Sequence, residues 1–251
     1  MSVYRTLVRR ELGAAFKSLT GYIVVAATLL LTGVGLVDLI DRINITATPR
    51  PITEIFFSQY LMFWYTLILT TPIITMRTFA AERSSGTYEA LVTTPVTDWQ
   101  LVLSKFVGAL LFFVIAWLPF LAVLFVLRKV THQPELMAMP STVGAFTGLF
   151  LIGSLYTAIG CFASSITHNQ IIAAVSSFCV GGGLWALTIR PGVEDAPHSF
   201  WIRFMDYISV TRHMQDFSQG FVDLRAVIFY VTMTALFLFF THRVIETRRW
   251  F

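Results

Sequence analysis

The stretch LVLSKFVGALLFFVIAWLPFLAVLFVL, residues 101–127, decides the fold class. Its one ionisable residue, Lys105, lies near the start. A helix that crosses a bilayer needs about 20 largely apolar residues, and this run exceeds that. Pro119 inside it predicts a kink. Five further runs of this kind follow the same pattern, at residues 20–37, 54–76, 142–164, 170–189 and 225–242. None holds an ionisable residue near its centre. Proton- and ion-coupled carriers usually need one there, so that class is disfavoured.

Composition agrees. Of 251 residues, 56% are hydrophobic and only 13% charged, and the mean hydropathy is +0.72. A soluble domain carries about 25% charged residues, so the chain has too little polar surface to coat a water-soluble globule. The net charge of +4 is small, and the basic residues sit at the ends of apolar runs. That suits headgroup anchoring and argues against nucleic-acid binding. Cys161 and Cys179 lie in apolar surroundings and read as small fillers, not as a disulfide or metal site. The expectation is an all-α membrane protein of six transmembrane helices, one domain over residues 1–251.

Residues 1–18 place Arg5, Arg9, Arg10 and Lys17 among Val3, Leu7, Val8, Leu12 and Phe16. Helical spacing puts the apolar set on one side, as in an amphipathic helix lying in the interface. The apolar stretch after it shows no small-residue cleavage site and is expected to stay as an anchor. With both termini inside, the inner segments hold ten basic residues and the outer ones eight, the termini clustering theirs tightly against the first and last spans. Both ends are therefore expected in the cytoplasm.

The fourth run carries Gly144, Gly148, Gly153 and Gly160, a small-residue face for close helix packing within or between chains. Gly181, Gly182 and Gly183 in the fifth read as packing in preference to a hinge. Asn169 is expected to cap the fifth run. The outer loop, residues 190–224, alternates apolar and polar residues from Phe200 to Ile208 and predicts short helices at the outer leaflet.

Some chemistry is missing. A phosphate-binding P-loop needs glycine directly before its lysine, and Lys17, Lys105 and Lys129 all lack it. There is no H-E-x-x-H and no G-x-S-x-G. His132, His168, His198, His213 and His242 lack ligand spacing. The chain is expected to be no enzyme by itself, to hold no metal or cofactor, and to leave any ATP and Mg to a partner. Hydroxyls at Thr70, Thr71, Ser154, Tyr156 and Thr157 line a path or bond backbone.

The inner loop reads R-T-F-A-A-E-R-S-S-G-T-Y-E-A-L from Arg77 to Leu91, then T-P-V-T-D-W from Thr94 to Trp99. Its first part continues the second span. Gly86 breaks that helix, Thr87 offers a new cap, and Thr97 with Asp98 offers another before the third span. A plain solvated loop with surface ion pairs is the simplest reading, and such pairs contribute little.

The segment E-R-S-S-G-T-Y-E-A-L-V-T-T-P resembles the cytoplasmic-loop signature of ABC-2 type transporter permeases. The stretches T-M-R-T-F-A-A-E, W-Q-L-V-L-S-K-F-V-G-A, Y-T-A-I-G-C-F-A-S-S and D-L-R are most similar to GldF-like gliding-motility permeases, with NosY-like ones second. The resemblance implies a type V exporter-like architecture in a bacterial inner membrane. It implies that residues 82–91 form a coupling helix seated in a separate ATPase subunit. Glu82, Arg83, Thr87, Tyr88 and Glu89 would then face that subunit, Gly86 would allow the turn, and Pro95 would end the element. Residues 1–18 would be the interfacial helix and residues 200–208 the extracellular half-helices. Two copies, or one with a second membrane subunit, would complete the bundle in the lipid bilayer. The alternative is an ATP-independent carrier or channel subunit. The substrate is not legible.

Overall fold

The computed structural model describes residues 3–46, 51–58, 60–86, 97–131, 138–188 and 207–249. Every regular element among them is a helix: α1 (Val3–Lys17), α2 (Leu19–Thr46), α3 (Ile52–Ser58), α4 (Leu61–Thr75), α5 (Ala80–Ser84), α6 (Asp98–Thr131), α7 (Met139–Ile166), α8 (Gln170–Ala186), α9 (Val210–Ser218) and α10 (Leu224–Arg249).

Four stretches are long and apolar enough to cross a bilayer: Leu19–Ile43, Asp98–Val130, Met139–Ile166 and Leu224–Thr247. The expected second span is not one straight helix. Ile52–Ser58 and Leu61–Ser84 meet at 56°. The bend has a packing cause. Phe56 and Phe57 are neighbours in sequence and both fully buried, with Phe56 against Phe120 and Phe57 against both Phe63 and Phe146. The fifth expected span, α8, is apolar but has 17 residues, short of the usual 20. Length and apolarity thus give four crossings, or five with the bent pair taken as one.

α7 is the hub, with 78% of its span buried against 28–39% for the other three long helices. Its glycines explain why. A β-carbon on Gly160 would stand 2.0 Å from Thr75 Oγ1, and one on Gly153 would stand 2.2 Å from Phe113. Gly144 and Gly148 lie against Phe217 and Met214 of α9, so here the small face receives a short helix of the same chain. Without water there is no hydrophobic drive between helices in lipid; close van der Waals packing holds them. Gly181 packs on Tyr156, Gly183 meets open space, and α8 runs through all three glycines without a break. α6 likewise runs through Pro119 as one helix. Of the five span hydroxyls, Thr70, Thr71 and Ser154 donate to carbonyls in their own helices, and Tyr156 donates to Gly181 O.

Caps behave as the residue types dictate. Asn169 accepts from the Ile171 N–H at the start of α8. Thr97 accepts from the Gln100 N–H while Gln100 accepts from the Thr97 N–H, a capping box that starts α6. α2 extends beyond residue 37 to Thr46. An Asp38–Arg42 pair at 2.8 Å holds its last turns, and Tyr60 donates to the same carboxylate.

Candidate functional site

One end of the bundle gathers the start of α2, the ends of α4, α7 and α10, the start of α6, and all of α5. Here α4 stops at Thr75, the chain turns through residues 76–79, and α5 resumes it. Such a turn leaves backbone groups without helical partners. Ser164 of α7 supplies them. Its Oγ accepts from the Phe79 N–H at 3.1 Å and the Ala80 N–H at 3.0 Å, and donates to Met76 O at 3.1 Å. Arg83, buried, donates to the carbonyl of Ser165. Residues 77–84 are thereby pinned to the end of α7.

A second brace comes from α6 and α1. Lys105 is 1% exposed. Its Nζ lies 2.8 Å from Glu82 Oε1 and 3.3 Å from Glu11 Oε1, and donates to Thr78 O at 2.6 Å. The Phe79 ring lies 5.3 Å beneath the ammonium. Arg10 closes the network at 3.0 Å from Glu11 and 3.4 Å from Glu82. α1 sits closely on α6, where a β-carbon on Gly108 would stand 2.8 Å from Glu11 Cβ and Phe16 stacks edge-on against Phe112. Trp99 and His242 stack at 4.3 Å and tie α10 to the start of α6. A buried ion pair draws strength from geometry and satisfied hydrogen bonds, and losing one partner is costly.

The loop's own residues divide. α5 ends at Ser84 and Gly86 takes a φ of +71°, the left-handed turn expected of a glycine just past a helix. Glu82 and Arg83 have intrachain partners, so their first structural role is to hold α5, whatever else they touch. Thr87, Tyr88, Glu89 and Pro95 lie outside the described residues, as do residues 200–206 of the outer loop. Lys105, Glu11, Ser164 and Ser165 were not candidates from the sequence. The legible signals were a lysine within an apolar run and a carboxylate alone on a basic helix.

The far end is built differently. α9 buries His213, Met214 and Phe217, and His213 Nδ1 lies 3.3 Å from the Tyr230 hydroxyl. Burial pushes the His213 pKa down against the opposing pull of Asp216 and Asp223, and burial pushes Asp216 up. Among the described residues no group of histidine, cysteine, aspartate and glutamate is placed to hold a metal ion.

The arrangement clamps a short loop-bearing helix to α1, α6 and α7 at once. Residues 62–241 match the family model of ABC-2 family transporter proteins. No curated protein matches the chain.

Proposed function

This chain belongs to the ABC-2 transporter family, and we propose on that premise that it is the membrane subunit through which a separate ATPase moves the bundle. A multi-pass membrane protein of a transport system, generally partnered with an ATPase, is what membership and the apolar helices give. The finer reading is that residues 82–95 form the docking element and that the braced α5 carries its displacement inward. The observation behind it is Lys105, which joins Glu82 of α5 to Glu11 of α1 from within α6. Packed elements with two discrete arrangements transmit such pushes.

In this reading the chain crosses the inner membrane six times, taking the bent pair as one span and α8 as another, with both termini in the cytoplasm. It hydrolyses no ATP, since none of its lysines follows a glycine. A second copy or a second membrane subunit completes the bundle. The quoted inner-loop and span stretches support a place nearest the GldF-like permeases.

The test is capture of the ATPase by the purified chain. Tyr88→Ala with Glu89→Lys should weaken capture about tenfold. Glu11→Gln with Lys105→Met, which breaks the brace and leaves residues 82–95 unchanged, should leave capture intact but abolish stimulation of ATP hydrolysis by the membrane subunit. Capture by the loop double variant equal to that of wild type would overturn the docking assignment.

A further inference from the structure

We propose that the cleft between α1, α2, α4 and α6 binds an anionic phospholipid, with its phosphate on Arg77. The cleft has a volume of about 400 Å³, within the size range of small-ligand sites. It opens at the braced end of the bundle. Its walls grade from polar to apolar in one direction on three helices. On α2 the lining passes from Thr20 to Val24, on α6 from Lys105 to Phe112, and from Arg77, in the turn after α4, back to Ile73 of α4. Each step is about one to two helical turns. α2 and α6 start at this end and α4 arrives there, so all three gradients point into the bilayer. A soluble anion would need only the polar end; an amphiphile fits both.

Charge picks the sign of the headgroup. The lining carries three cations, Arg10, Arg77 and Lys105, and two carboxylates, Glu11 and Glu82. Lys105 and Arg10 are both committed to those carboxylates. Arg77 is the surplus. It is exposed at the mouth, and its Nη1 donates to Ser18 Oγ at 2.9 Å and Thr20 Oγ1 at 2.7 Å. No carboxylate among the described residues pairs with it. The two hydroxyls hold the guanidinium by its Nη1, and Arg77 lines the cleft. A planar guanidinium so held suits two-point binding of a phosphate. The cleft takes a headgroup and the upper part of one acyl chain, the remainder staying in the bilayer.

The site goes beyond the coupling reading and does not rest on it, because the assay contains no ATPase. Native mass spectrometry of the full chain in detergent would follow added phosphatidylglycerol and phosphatidylcholine. One phosphatidylglycerol per chain should bind, about tenfold tighter than phosphatidylcholine. Arg77→Gln should remove that preference. Ile74→Trp, which fills the apolar wall and keeps every charge, should weaken both lipids. Arg128→Gln, at the other end of α6, should change neither. A large excess of inorganic phosphate should leave the lipid bound. Equal binding of the two lipids, or displacement by inorganic phosphate, overturns the proposal. So does unchanged phosphatidylglycerol binding in both the Arg77 and the Ile74 variants.

Discussion

Lys105 Nζ stands 2.8 Å from Glu82 Oε1, and the lysine is almost completely enclosed. An ammonium in that position is stable only while its carboxylates and the Thr78 carbonyl surround it. Removing the lysine takes the enclosed cation from both carboxylates and leaves them with half-exposed Arg10, a loss bounded by the about 3–5 kcal/mol of a broken buried pair. Lys105→Met is therefore expected to lower the melting temperature of the detergent-solubilised protein sharply. Lys105→Met combined with Glu82→Gln should recover part of the loss, because the two effects are coupled. Additive losses in the double variant would mean that the pair is not the brace.

Ser164→Ala tests the other brace. The variant leaves the Phe79 and Ala80 N–H groups without their acceptor, at a cost of about 1–3 kcal/mol. The loss is local, so amide exchange over residues 79–86 should accelerate while the centre of α7 stays protected. Equal acceleration along all of α7 would point to global unfolding and away from a local clamp.

The glycines of α7 and α8 make a contrasting pair. Gly160→Ala forces a methyl against Thr75 Oγ1 at 2.0 Å, and overpacking of this kind costs about 1–3 kcal/mol. Gly183→Ala meets nothing within 4 Å and should stabilise by up to about 1 kcal/mol through helix propensity. Thermal melts of the two variants should move in opposite directions. A shared sign would show that local packing does not control these positions.

His213 predicts a pH dependence. Its folded pKa lies below the ordinary value of 6.5 because burial disfavours the cation. Above 6.5 it is neutral in both states and its contribution is complete. As the pH falls below 6.5 the unfolded chain takes up the proton more readily, and stability is lost. Asp216, raised by burial, acts in the opposite direction at lower pH. Melting temperature should therefore drop between pH 7 and pH 5.5, and His213→Asn should flatten that drop. A profile unchanged in the variant would remove His213 as its origin.

The sequence carried the class of the molecule and the local signals at helix ends. Apolar runs of span length allow little else in a chain so poor in charge. The turn at Gly86, the cap at Asn169 and the cap at Thr97 each depend on neighbours a few residues away, so they were readable directly; the part of Gln100 in the Thr97 cap was not. The bend between α3 and α4 was not, because the one helix breaker in residues 54–76, Pro72, lies inside α4 and not at the bend; the burial of Phe56 and Phe57 against α6 and α7 imposes it. Glu82 and Arg83 read as outward-facing loop charges for the same reason. Hydropathy says which residues leave the membrane, but not which way they turn afterwards.

By itself, the sequence determined that this is a membrane bundle with a polar loop after its second apolar run. Only the tertiary structure decided that the loop's first helix is fastened inward. The fastening joins Glu11, Glu82, Lys105 and Ser164, which lie far apart along the chain. Contacts of that kind leave no periodicity and no spacing. They come into being only when packing brings the ends of separate helices together and excludes water between them.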